Sequence, residues 1–214
     1  FNNFEIFIIV FITIITGTIV ADEFNKGTIK QLLIKPHTRF KILLSKYITS
    51  LSMILMVFVA LVFMQLLVGG VLFGFGSLSI PIVVYNFDIS KIQSFNIFVY
   101  LLILLVSKLP LFILLLTFIF LLSILTTNSA VAITIGIMTY VFSGIINNMA
   151  VYLDVKWLKF FPTLNWDFTQ YLFGNVSQNK YLSIGLSAIM CISYFISLII
   201  PSFILFQKKN IKNI

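Results

Sequence analysis

The sequence predicts an all-α fold, a polytopic membrane helical bundle of five spans, and three observations carry that prediction. Apolar residues make up 60% of the chain and charged residues 9%, with a mean hydropathy of +1.13; soluble domains carry roughly 25% charged residues. Five apolar runs approach the ~20 residues needed to cross a hydrocarbon core of ~30 Å. The Lys and Arg residues gather between those runs, where charges orient helices instead of interrupting them. No polar stretch is long enough for a separate soluble domain, so residues 1–214 read as a single transmembrane domain.

The first span runs from Phe4 to Ala21 and the second from Tyr47 to about Gly70. Between them lies a charged island, Asp22 to Lys46, in an otherwise apolar sequence. The third run, about Phe98 to Leu125, contains Lys108 and Pro110. An unbroken helix would carry the Lys108 ammonium toward mid-membrane at a cost of roughly 3 kcal/mol. The reading preferred is therefore a span proper from Leu109 to Leu125, with Lys108 snorkelling to the headgroups and the preceding run kinked or re-entrant. The fourth span, Ala130 to Ile146, is short, and the fifth runs from Leu182 to Phe206.

Charge sets the orientation. The loop after the first span and the C-terminal tail together carry nine basic residues: Lys26, Lys30, Lys35, Arg39, Lys41, Lys46, Lys208, Lys209 and Lys212. The other face receives four, Lys91, Lys156, Lys159 and Lys180. The positive-inside rule then puts the charged island and the tail in the cytoplasm of a multi-pass cell-membrane protein. With five spans Phe1 falls outside, and since the chain starts without Met and without a basic leader, a further N-terminal span is expected before it. The net charge of +8 serves this topology, and nucleic acid is not expected as a partner.

Two outer segments differ in character. Val71 to Asn96 holds Gly74, Gly76, Pro81 and the cluster Tyr85-Asn86-Phe87-Asp88, and reads as a surface loop. Asn147 to Tyr181 concentrates Tyr152, Trp157, Phe160, Phe161, Trp166, Phe168, Tyr171 and Phe173. Such a composition fits an aromatic belt anchored at the water interface, or a structured element that shapes a substrate exit.

Within the charged island, Asp22 and Glu23 precede Gly27-Thr28, then Ile29, Leu32 and Leu33 at helical spacing, and Pro36 stops the pattern. Acids in a first turn suit the positive end of a helix dipole, and Pro discourages helix in the residue before it. A short amphipathic cytoplasmic helix is expected, covering lipid or a protein partner, with Thr38 capping the next helix.

The run Glu23, Gly27-Thr28-Ile29, Leu32-Leu33, Pro36, Thr38-Arg39, with Lys46 leading into a span, resembles the loop after the second membrane helix of ABC-2 type ABC transporter permeases. The Leu121 to Ala132 run is similar to that family's inner turn between its fourth and fifth helices. The resemblance implies six helices in the intact fold, of which the five here are the second to the sixth. It also implies a cytoplasmic coupling helix docking on a separate ABC ATP-binding subunit, a second permease chain as homo- or heterodimer partner in the lipid bilayer, and an extracytoplasmic re-entrant segment at the aromatic stretch. Carried over, the ATPase-coupling residues are Asp22, Glu23, Gly27, Thr28, Ile29, Leu32, Pro36 and Arg39.

Several chemistries are absent from the sequence. There is no Walker Gly-x-x-x-x-Gly-Lys run, so ATP hydrolysis is expected of a partner and the chain itself is not read as an enzyme. With one His and one Cys, no metal site, catalytic set or cofactor is expected. The acids lie at or beyond span ends, which disfavours an ion-coupled pump. Gln65 and Lys108 remain as candidate contacts along a substrate pathway. The sequence thus reads as the permease subunit of an ATP-driven exporter moving a hydrophobic or amphiphilic peptide, drug or lipid. The alternative is a non-transporting membrane scaffold or immunity-type protein that binds a partner or toxic peptide.

Overall fold

The computed structural model describes residues 2–28, 38–74, 81–86, 91–153, 155–174 and 181–209. Long helices dominate: α1 (Asn2–Asn25), α2 (Arg39–Phe73), α3 (Ile97–Thr126), α4 (Ser129–Tyr152) and, after a short α5 (Pro162–Asn165), α6 (Ile184–Lys208). Five of them, all but α5, are long and apolar enough to cross a membrane. Every one of the five extends past at least one end of the apolar run that predicted it, because a helix continues into the headgroup region as long as its backbone bonds can close.

Three features differ from the sequence reading. α3 is one helix from Ile97 to Thr126 with Pro110 inside it, so the stretch before Leu109 continues the same helix and is not a separate re-entrant piece. The expected loop between Val71 and Asn96 contains an antiparallel hairpin, β1 (Ile82–Asn86) paired with β2 (Lys91–Phe95), in the register Ile82↔Phe95 to Asn86↔Lys91. Its alternation is that of a half-covered pair: Ile82, Val84, Gln93 and Phe95 are half-buried while Val83 and Ser94 are exposed. The strands are short, only β1 is rich in β-branched residues, and the Gly, Pro and Asn residues around them masked the signal. Finally, α1 runs on to Asn25, so Asp22 and Glu23 stand in the last turn of a long helix and not in the first turn of a short one. That is the unfavourable end of the dipole for an acid, and each of the two faces a lysine there.

The chain divides into two compact units, the first comprising Phe1–Val57, Phe112–Phe142 and Ile192–Ile214 and the second Phe58–Leu111 and Ser143–Cys191. In the first unit, Leu115, Leu116, Ile119, Phe120 and Ile124 of α3 are fully buried, as are Ile8, Ile9 and Ile12 of α1. Small and hydroxyl residues let the helices close up, as is usual where lipid supplies no hydrophobic drive between helices. A Cβ on Gly17 would stand 2.7 Å from Ile133 Cγ1, and one on Gly136 would stand 2.8 Å from Ile119 Cγ1. Ser123 of α3 accepts a hydrogen bond from Ala21 N–H and donates one to Gly17 O, both 2.9 Å, so a single hydroxyl engages both groups of one rung of the α1 ladder.

The second unit contains the hairpin and the aromatic segment, which folds as a 3-10 helix (Lys156–Phe160), then α5, then a second 3-10 helix (Phe168–Gly174). Its apolar centre is Ala150, Leu158, Leu164 and Leu182, with Val155, Phe161, Tyr171 and Leu186 packed around them.

Candidate functional site

In the first unit, basic residues at or within two turns of helix ends seat themselves on backbone carbonyls. Lys46 of α2 reaches α1, where its ammonium donates to Ile19 O at 2.9 Å and to Glu23 Oε1. The two side chains are 13% and 21% exposed, sheltered enough for this ion pair to outweigh ordinary surface pairs of ~0–1 kcal/mol. Glu23 Oε2 is buried and has no hydrogen-bond partner among the described residues. Arg39, at the start of α2, donates from Nη1 to Gln207 O at 2.9 Å and to Lys209 O at 3.1 Å, gathering the otherwise unsatisfied carbonyls at the end of α6. Lys209 in turn donates to Ile124 O near the end of α3 and stands 4.8 Å from the centroid of the Phe24 ring. Burial holds the Lys209 ammonium below the usual lysine range. Cations on helix C-termini are what the macrodipole favours. The residues counted above as topology charges therefore also cross-link α1, α2, α3 and α6 within this unit.

The remaining residues of the charged island are more exposed. Asp22 faces Lys26 at 3.6 Å with its partner's side chain 70% exposed, which is worth little. Gly27 lies just past the end of α1 with φ of +71° and donates to Phe24 O at 3.2 Å, a left-handed stop that Gly adopts without a Cβ penalty. Thr28 follows it, exposed. Thr38 caps α2, with Lys41 N–H donating to its hydroxyl at 3.4 Å. Ile29, Leu32, Leu33 and Pro36, and with them the expected coupling helix, lie outside the described residues.

The second unit holds a polar network that sequence reasoning did not assemble. Lys108, 5% exposed, donates to Asp167 Oδ2 at 2.6 Å. Asp167 Oδ1 accepts from Thr169 N–H at 2.9 Å and from the Thr169 hydroxyl at 2.6 Å. Lys108 thus faces a carboxylate within the protein, a partner that the expectation of snorkelling had not supplied. A few residues away, the fully buried Asn165 donates to Lys159 O at 2.7 Å and Phe161 O at 2.8 Å. It accepts from the Ser187 hydroxyl at 2.7 Å, and Ser187 also pairs with the Tyr171 hydroxyl at 2.7 Å. Burial pushes the Tyr171 phenol above its ordinary range, with the Ser187 bond opposing. The Cys191 thiol donates to Asn165 O at 3.2 Å. One signal pointed toward the pair: a Lys deep in an apolar run calls for an acid, and the aromatic segment offers two, Asp154 and Asp167, between which the sequence does not choose.

Gln65 is half-buried on α2. The groove nearby in that unit is lined by Phe58, Val59, Val62, Phe63, Leu66 and Leu105, apolar throughout. Among the described residues no three His, Cys, Asp or Glu side chains come together as metal ligands.

The family model described as "Protein of unknown function (DUF2705)" matches residues 1–212. The chain belongs to this DUF2705 family. Two relatives from Bacillus subtilis (strain 168) are similar to it. "Uncharacterized protein YhcI" is 32% identical over 211 residues, which cover 99% of this chain and 67% of that protein. "Uncharacterized membrane protein YdbK" is 31% identical over 188 residues, or 86% and 71%. No solved structure matches. The apolar helices and the membrane relative agree on the environment: this DUF2705 chain is a membrane protein.

Proposed function

We propose that this chain is the permease subunit of an ATP-driven ABC-2 type exporter, a membrane pathway energised by a separate ATP-binding subunit. Its cargo is hydrophobic or amphiphilic, and the charged island faces the cytoplasm. The observation that carries the reading is the Lys46–Glu23 pair. It ties the end of α1 to the start of α2 at the base of the island, and Arg39 fixes the same end of α2 to α6. With α1, α2 and α6 tied together beside the island, a push delivered there would reach all three helices. The island also carries the motif that resembles the family's docking loop, and the chain has no nucleotide motif of its own.

Co-purification of the full chain with the ATP-binding subunit tests this. Gly27→Pro forbids the left-handed φ at the head of the loop, and Glu23→Ala removes the clamp. The paired variant is expected to lose the ATPase from the complex and its stimulation while Trp emission stays native. Unchanged assembly and stimulation would sink the docking role.

A further inference from the structure

We propose that the 3-10 helix Lys156–Phe160 is a docking surface for the headgroups of anionic phospholipids. A 3-10 helix has three residues per turn, so side chains at i and i+3 eclipse. The sequence Lys156-Trp157-Leu158-Lys159-Phe160 is therefore sorted into three stripes. Leu158 stands alone on the first and is 7% exposed, locked into the cluster with Ala150, Leu164 and Leu182. Trp157 and Phe160 form the second and are 62% and 49% exposed. Lys156 and Lys159 form the third, and the Lys159 ammonium stands 4.9 Å from the Phe160 ring centroid.

The rod follows directly on α4, whose apolar window Ser129–Ala150 can cross a bilayer; Tyr152 at its end is 86% exposed. A span over that window ends at headgroup depth, where Trp and Tyr rings settle with their apolar body in the acyl region. A lysine stripe beside an aromatic stripe meets phosphate oxygens at that depth. An anionic lipid gains what a zwitterionic one lacks, net charge opposite to two ammonium groups. The rod is held rigid behind: Asn165 takes Lys159 O and Phe161 O, and Phe161 N–H closes on Leu158 O at 2.9 Å. The stripes are thus presented in a fixed orientation and the surface is already formed before lipid arrives. Among the described residues of this segment the acid is Asp167, which is engaged by Lys108; Asp154 lies outside the described residues.

The test uses the full chain carrying Trp166→Phe, which leaves Trp157 as the single Trp. It is placed in vesicles of phosphatidylcholine and phosphatidylglycerol in equal parts, with bromine on the acyl chains of one lipid or the other. Each lysine at an anionic surface is worth a factor of about five in local lipid occupancy at low salt. Quenching of Trp157 is expected to be several-fold stronger from brominated phosphatidylglycerol, and Lys156→Gln with Lys159→Gln should erase the difference. Equal quenching by both lipids in the parent, or a preference that survives the double substitution, would overturn the proposal. So would a Trp157 that neither lipid quenches, since another chain would then cover it. A companion carrying Trp157→Phe reports folding through Trp166, which is 5% exposed. If the double variant disturbs Trp166, a salt titration of the parent decides: the preference must fall with salt, and its persistence refutes the electrostatic contact.

Discussion

Replacing Asp167 by Asn removes a charge while keeping shape, and its cost follows from the burial of the partner. The Lys108 side chain is 6% exposed and that of Asp167 27%. Losing one member of a buried pair costs about 3–5 kcal/mol when the survivor is fully enclosed. Lys108 meets that condition on its own side, but Asp167 is partly hydrated, so the attraction removed is partly screened. Asp167→Asn is accordingly expected to destabilise by about 3 kcal/mol. Lys108→Met leaves a carboxylate that still accepts two hydrogen bonds from Thr169 and still touches water, and should cost less, about 1–2 kcal/mol. Because both single changes remove the same attraction between Lys108 and Asp167, the double variant should be milder than the sum by at least about 1.5 kcal/mol. The assay is reversible unfolding of the full chain in mixed micelles, titrated with a denaturing detergent and followed by Trp166 emission. Additive losses, or an Asp167→Asn protein as stable as the parent, would show that the pair is solvated and does not hold the segment to α3.

Four other perturbations have defined outcomes. Gly136→Ala puts a methyl 2.8 Å from Ile119 Cγ1 and 3.1 Å from Thr13 Cγ2, so overpacking of about 1–3 kcal/mol should exceed the gain in helix propensity. Gly144→Ala on the same helix meets nothing within 4 Å and should stabilise by about 0.5–1 kcal/mol in the same unfolding assay. Cys191 is buried and its thiol donates to Asn165 O; maleimide should label it only after unfolding, and rapid native labelling would contradict the packing. Burial lowers the Lys209 pKa, so the unfolded chain binds the proton more tightly. Stability should therefore rise with pH from the depressed folded value up to the ordinary lysine pKa of about 10.4. Lys209→Gln should flatten that slope, and an identical slope in the variant would refute the assignment.

The five long helices were legible because a span is set by length and apolarity, properties a linear sequence displays directly. Local stop signals were legible too: Gly27 ends α1 and Thr38 caps α2 through interactions within a few residues of themselves. Two local readings failed. The cost of burying Lys108 was taken to set the stretch before Leu109 apart from the span, yet α3 runs through it as one helix, and a membrane helix can carry Lys and Pro where surrounding groups satisfy them. Asp22 and Glu23 were assigned to a helix start, where local dipole logic favours acids, but tertiary contact overrode it. Lys46, more than twenty positions away in sequence, holds the Glu23 carboxylate at a helix end that would otherwise repel it.

Sequence alone determined the class of this protein, its number of spans in this chain and the places where its charge collects. Tertiary structure decided what those charges do. Lys108 belongs to Asp167, 59 positions on; Arg39 belongs to the end of α6, 168 positions on; Ser123 belongs to the α1 backbone. The physical reason is the low dielectric of a membrane protein's interior, where a polar group must find a partner in space whatever the distance along the chain. A sequence states that the need exists, and only the packed helices show which atom meets it.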